Sequence, residues 1–335
     1  MRLTRLGRRK WVGGAAGAVL LAAGAPAPAW GQAGPDPEVT VDGSATLSAV
    51  GRPVVAAWYY VWTSMGDDVA LAEAAGLDGL IVSETAVPPE EVLPQLVLDR
   101  VQGRSLRLAL GVEAQEREKY PSREAAADRL RRAVEFAHAY PQWLRLDTRP
   151  VFVFWNLPVV PTAPGERPQD AWAWIRGQAD PDHTTIWIAE GGDTAPGTGT
   201  MTYLVGDAFD GLHLYSIAWA DDPARQLANW AARLRASGPN RVWAATVMPG
   251  GLWGAGPNAT SLQSRDRQEG AFYRRTWEGA IATNPEMVVI TSWNEFPEQT
   301  AIRSHPADPT FGYGTAYLDL TRELVTAAKA RSTAR

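Results

Sequence analysis

Cysteine is absent from all 335 residues, which excludes a disulfide framework, a zinc–thiolate site and a cysteine nucleophile. Histidine is scarce: His138, His183, His213 and His305 are the only four, and none forms an HExxH pair. A His-based metal centre is therefore not expected. The Gly-rich phosphate loop of a dinucleotide-binding sheet is also missing, because the first strand-like run continues as "WYYVWTSMGDD". No cofactor is implied. What the chain has in quantity is apolar residues, 45% against 21% charged, enough for the core of an enzyme.

Acid is missing from the first 33 residues. "MRLTRLGRRK" carries five basic residues, "WVGGAAGAVLLAAGAPAPAW" is small and apolar, and "GQA" follows. This is the layout of an export signal with a cleavage site near Ala33. Gly and Pro interrupt the apolar stretch, which falls short of the ~20 residues a membrane helix needs. No stable membrane insertion is expected once the signal is cleaved. Arg8-Arg9 just before the apolar region resembles a twin-arginine signal, the alternative being an ordinary secretory signal with a chance Arg pair. Residues 34–51 read as a flexible leader. Without the signal, 27 basic residues face 37 acidic ones. Such a surface disfavours nucleic acid and anionic lipid and suits a neutral substrate. "NAT" at 258–260 matches a glycosylation acceptor, which carries little weight beside a bacterial-type signal.

From residue 52 onward, short apolar runs alternate with helical patterns. The runs are 54–60, 79–83, 106–113, 150–155, 185–190, 211–215, 241–248 and 287–293, near-continuous as in strands covered on both faces. Between them lie helical segments with start and stop signals, such as "SREAAADRLRRAVEFAHAY" with Ser122 as its N-cap, and "PARQLANWAARLRAS". "PPEEVLPQLVLDRV" is disturbed by Pro94, and 191–208 carries the weakest pattern. Eight repeats of this alternation predict an α/β chain folded as a single (β/α)8 TIM barrel over 52–335.

In such barrels the site lies at the C-terminal strand ends. Those ends carry Trp58-Tyr59-Tyr60 with Trp62, Ser83-Glu84, Glu113, Trp155-Asn156, Glu190, Tyr215 with Trp219, Trp253, and Trp293-Asn294-Glu295 with Glu298. Fifteen tryptophans is a high count, and each singly is readily explained by core packing. Their gathering with carboxylates on one rim points to a carbohydrate cleft, where aromatic faces meet sugar C–H faces and carboxylates meet hydroxyls. Glu295 and Glu298, three apart, suit the paired carboxyls of glycoside hydrolysis, one held protonated and one ionised. The alternative reading of Glu298 is a helix-start acid or a solvated loop residue. A Glu298 turned to bulk solvent or to Arg303 would weigh against catalysis.

"ITSWNEFPEQTAI" followed by "YGTAYLDLTREL" resembles the last strand and final helix of the glycoside hydrolase family 99-like group, the endo-α-mannosidases and endo-α-1,2-mannanases. "DDVALAEAAGLDGLIVS", "LRLALGVE", "RPVFVFWN" and "VMPGGLW" with "RDRQEGAFYRRTWEGAI" extend the resemblance over most of 53–325. The family's strand 8 pattern is close to Asn-Glu-Trp-His-Glu-Gly-Thr-x-Ile-Glu, and its two catalytic glutamates fall on Glu295 and Glu298. The resemblance implies a retaining mechanism through the sugar's own 2-hydroxyl, with Glu295 as base and Glu298 as general acid. It places Tyr59, Tyr60, Glu113 and Tyr215 among the sugar contacts.

Here Phe296-Pro297 replaces Trp-His, Gln299 replaces Gly, and Arg303 replaces the later Glu. An α-linked glycan other than mannan, cleaved in the manner of an α-1,3-glucanase, therefore stays open. So does a non-catalytic barrel that binds envelope polysaccharide or assists its assembly. Barrel glycosidases with Asn-Glu on strand 4 fit badly, since "WN" is followed by Leu157. The expected cleft comprises Glu295 and Glu298 as catalytic pair, with Trp58, Tyr59, Tyr60, Trp62, Glu113, Trp155, Asn156, Tyr215, Trp253, Trp293 and Asn294 around the sugar. The expected partner is a polysaccharide or oligosaccharide.

Overall fold

The structure, a computed structural model, describes residues 52–61, 67–191, 208–253, 263–305 and 312–331. The export signal, the leader, Trp62 and the 258–260 acceptor lie outside the described residues. The eight apolar runs become parallel strands: β1 Val54–Tyr59, β2 Gly79–Ser83, β3 Arg107–Glu113, β4 Arg149–Trp155, β5 Ile186–Glu190, β6 Gly211–His213, β7 Val242–Val247 and β8 Met287–Ile290. Each pairs with the next, and β8 pairs back onto β1 through Val54↔Met287 to Ala57↔Ile290. The sheet is closed, so the chain is a (β/α)8 barrel with no open edge.

Seven α-helices among the described residues cover it: α1 Asp68–Ala74, α2 Gln95–Val101, α3 Arg123–Ala139, α4 Pro168–Ala179, α5 Pro223–Ala236, α6 Ala271–Ala282 and α7 Ala316–Arg331. Local chemistry accounts for their ends. Ser122 and Asp222 cap α3 and α5 by accepting the backbone N–H of Ala125 and Arg225 at 3.2 and 3.0 Å. Gly76 stops α1 with φ +83°. The helix expected from residue 88 begins only at Gln95, because Pro94 holds an extended conformation and serves as its N-cap. None of the described helices is long and apolar enough to cross a membrane.

Strand alternation sorts side chains into two layers. Ala56, Trp58, Ile81, Ala109, Val151, Val153, Ile188, Ala244 and Val289 fill the barrel interior. Val55, Ala57, Tyr59, Leu80, Val82, Leu108, Phe152 and Val288 face the helices. Trp58 lies across the interior against Gly111, where an added Cβ would stand 2.3 Å from the indole. At the opposite end from the predicted mouth, buried Arg176 pairs with Asp180 at 3.2 Å and Asp210 at 3.3 Å, over the Trp187 ring. Those charges serve the barrel floor.

Beyond the expected elements, Arg145–Leu146 pairs antiparallel with Arg149 and Pro150. After β7, Gly251–Trp253 and Gln263–Arg265 form an antiparallel ribbon.

Candidate active site

The C-terminal strand ends gather Tyr60, Glu113, Trp155, Tyr215 and Glu295 on the barrel's inner rim. Glu295 is only 8% exposed. The loop carrying it is closed on itself: Ser292 Oγ accepts the Glu295 N–H at 2.9 Å and contacts Thr300 Oγ1 at 2.7 Å, while the Ser292 N–H donates to the Thr300 carbonyl and the Ile302 N–H to the Ser292 carbonyl. The Thr291–Ser292 peptide bond ahead of it is cis. Arg267, lying over the Tyr317 ring at 4.6 Å, donates to the carbonyls of Gln299 and Ala301, both at 2.8 Å. A short, strongly hydrogen-bonded loop thus fixes the carboxyl before any ligand arrives.

The Tyr215 hydroxyl donates to Glu295 Oε2, and its oxygen lies 2.7 Å from the Tyr60 hydroxyl. Burial pushes the Glu295 carboxyl well above the ordinary range, the negative charge of Glu298 raises it further, and the Tyr215 hydrogen bond opposes both. Glu298 is half-buried, and its carbonyl accepts the Leu252 N–H at 2.8 Å, tying the loop to the ribbon. The charge of Glu298 thus acts on the Glu295 carboxyl across the loop they share. The Arg303 guanidinium pairs with Asp68 at the start of α1.

Glu113 belongs to the same field, since its charge acts on both Tyr60 and Glu295. Burial lifts its carboxyl to about 7 against hydrogen bonds from Ser83 and Thr85. Behind it, Glu84 is fully buried, accepts the Glu113 N–H at 2.7 Å and Tyr120 at 2.6 Å, and pairs with Arg129 at 3.1 Å. Across the mouth Trp155 stands against Tyr215, ring centres 5.7 Å apart. Asn156, left-handed at φ +57°, donates its N–H to Glu190 at 2.9 Å. Burial holds Glu190 at about 7 as well. Glu190 and the Glu84 support were absent from the expected site, although both stand at strand ends.

Four expected cleft residues lie elsewhere. Trp58 is fully buried inside the barrel, where it carries Tyr215 edge-on at 5.7 Å rather than meeting a ligand. Tyr59 alternates outward and reaches Asp68 at 3.3 Å. Trp293 is fully buried in the outer layer. Asn294 is a clamp: its side chain accepts the Tyr60 N–H at 2.9 Å and donates to the Tyr60 carbonyl at 2.7 Å. Trp62 lies outside the described residues. Trp253 ends the first strand of the ribbon, and its side chain is likewise outside them.

No protein-family model matches the chain, and no curated protein sequence matches it. Solved structures do. A family 99 endo-α-mannosidase from Bacteroides thetaiotaomicron is 17% identical with a TM-score of 0.62, covering 83% of this chain and 98% of that one. The same enzyme in complex with bis-tris propane gives 0.63 over 84% and 99%. A glycoside hydrolase-like protein is 14% identical with a TM-score of 0.57, over 83% and 95%. Nearly the whole length of each neighbour is matched, so the chain shares the fold of the glycoside hydrolase family 99 endo-α-mannosidases.

Proposed function

We propose that the chain is a glycoside hydrolase acting within an α-linked polysaccharide, with Glu295 and Glu298 as its catalytic pair. One observation carries this reading: a deeply buried carboxyl, held by a tyrosine hydroxyl on the barrel's inner rim, electrostatically coupled to a second carboxyl on the same rigid loop. The resemblance around "WNEFPE" and the shared fold support it.

Ionising both would place two negative charges close together, so the reaction runs with one proton between them. In the free chain burial favours that proton on Glu295. In the reactive arrangement it resides on Glu298. Glu295 then takes the proton of the sugar's 2-hydroxyl, O2 attacks C1, the bond from C1 to the leaving oxygen breaks, and Glu298 protonates that oxygen. In the second half Glu298 takes a proton from water, the water oxygen attacks C1, the C1–O2 bond of the 1,2-anhydro sugar opens, and Glu295 returns the proton to O2. Two inversions give retention. The proton count is the same in both arrangements, so substrate needs only to move the proton within the pair.

Residues 1–33 are proposed to export the chain, supported by their basic start and apolar middle; N-terminal sequencing of the secreted protein tests this. The enzymatic reading is tested by reducing-end release from a panel of α-mannans and α-glucans, comparing the mature chain with Glu298→Gln. Release by the parent alone is expected, and the responding polymer names the sugar and linkage. Undiminished glycan binding by both proteins with no release from any polymer would favour the non-catalytic barrel.

A further inference from the structure

Four residues beyond Tyr215, the loop after β6 leaves one large aromatic in solvent. Ile217, Ala218 and Ala220 are buried, yet Trp219 between them is 37% exposed. Among the described residues only Leu96 is a comparably exposed large apolar side chain. Exposure alone would mean little, since single apolar residues are common on surfaces. What distinguishes Trp219 is how firmly it is held. Its indole N–H donates to the Ser216 carbonyl at 3.0 Å. Arg265, on the second strand of the ribbon, donates to the carbonyls of Ala218 and Ala220 at 2.8 and 3.2 Å, on either side of the tryptophan, and pairs with Asp221 at 3.1 Å. The Ile217 N–H points to the Met248 sulfur at 3.3 Å.

The indole has therefore spent its one hydrogen-bond donor internally and offers only its apolar ring outward. It stands on a clamped loop at the active face. Four residues of chain reach at most about 14 Å, so Trp219 lies within that distance of Tyr215 along the backbone. We propose that Trp219 is a distal sugar-binding platform, stacking on a pyranose ring of a glycan chain that continues outward from the Glu295–Glu298 pair. This rests on the polysaccharide reading above and adds a substrate-length requirement to it. A ring already immobilised loses little conformational freedom on binding, which is what a stacking subsite needs.

The test compares the mature chain with Trp219→Ala and Trp219→Phe on the polymer it cleaves and on short oligosaccharides of the same linkage. Trp219→Ala is expected to raise KM for the polymer about tenfold, a loss near 1.4 kcal/mol, with kcat and the short-substrate kinetics unchanged. Trp219→Phe should recover most of the loss, because the aromatic face remains. Equal effects on long and short substrates, or none on either, would overturn the platform. Sedimentation that changes from dimer to monomer on Trp219→Ala would also overturn it, marking the ring as a contact between copies. If the parent cleaves no glycan, the enzymatic reading fails separately. Affinity electrophoresis in α-glycan gels then decides the platform: retardation of the parent that Trp219→Ala abolishes supports it, and equal mobility of the two rejects it.

Discussion

The hydroxyl of Tyr215 donates to the carboxylate of Glu295, joining the end of β6 to the end of β8 across the barrel mouth. That bond favours the charged form of Glu295. Tyr215→Phe removes it, so the Glu295 carboxyl should rise further and the acidic limb of the pH–rate profile should move to higher pH. A fall in kcat of about tenfold to a hundredfold is expected from the lost orientation, and a pH series of initial rates reads both effects.

Glu298→Gln removes the neighbouring charge that raises Glu295. The Glu295 carboxyl should then fall toward its ordinary range, visible as a shifted carboxyl resonance by NMR. Activity should drop by about 10²- to 10⁴-fold, the range for a lost acid–base group. A half-buried loop residue costs little stability when neutralised, so the melting temperature should hold.

Glu113 gives a pH dependence of stability with a definite sign. Its carboxyl titrates near 4.5 in the unfolded chain and at about 7 when folded, so the folded state holds the proton more tightly. This contribution is fully present below pH 4.5 and is lost as pH rises through 7, amounting to about 3 kcal/mol at most. Glu113→Gln should flatten the fall in unfolding free energy between pH 5 and 7 in urea titrations. A parent whose stability does not decline in that window would refute the shift.

Arg303 and Asp68 tie the loop after β8 to α1, with Asp68 fully buried. Arg303→Met leaves a buried carboxyl without its cation and should cost about 3 kcal/mol. The double variant with Asp68→Asn should lose less than the single one, which a double-mutant cycle resolves.

Gly111 and Trp58 share one volume inside the barrel. Gly111→Ala drives a methyl into the indole and should destabilise by about 1 to 3 kcal/mol. It should also displace Tyr215, which leans on Trp58, so activity should fall together with stability.

The strands were legible because parallel barrel strands buried on both faces leave continuous apolar runs, and each predicted run overlaps an observed strand. Spacing and resemblance single out Glu295 and Glu298, and the structure puts both on the loop after β8 with the charge of Glu298 acting on Glu295. Which aromatics face the cleft was misread at Trp58-Tyr59-Tyr60, where strict alternation sends Tyr59 outward and sinks Trp58 below the rim. The same happened at Trp293-Asn294, where a turn past Ile290 sends the indole into the outer layer and makes the amide a backbone clamp. The ribbon of Gly251–Trp253 and Gln263–Arg265 has no signature, because each of its strands is only three residues long. The support of Glu113 by Glu84, Tyr120 and Arg129 spans residues far apart in sequence, so nothing local reports it.

The Asn294 clamp joins two residues 234 positions apart, one at the first strand and one just past the last. A chain emerging from the ribosome thus carries Tyr60, Glu113 and Tyr215 long before the loop that completes them exists. The candidate site should be completed late and all at once, when the final strand closes the ring and Asn294 reaches back to Tyr60. Until then seven strands expose two raw edges, the period in which a partly made chain is most open to mispairing and most in need of a chaperone.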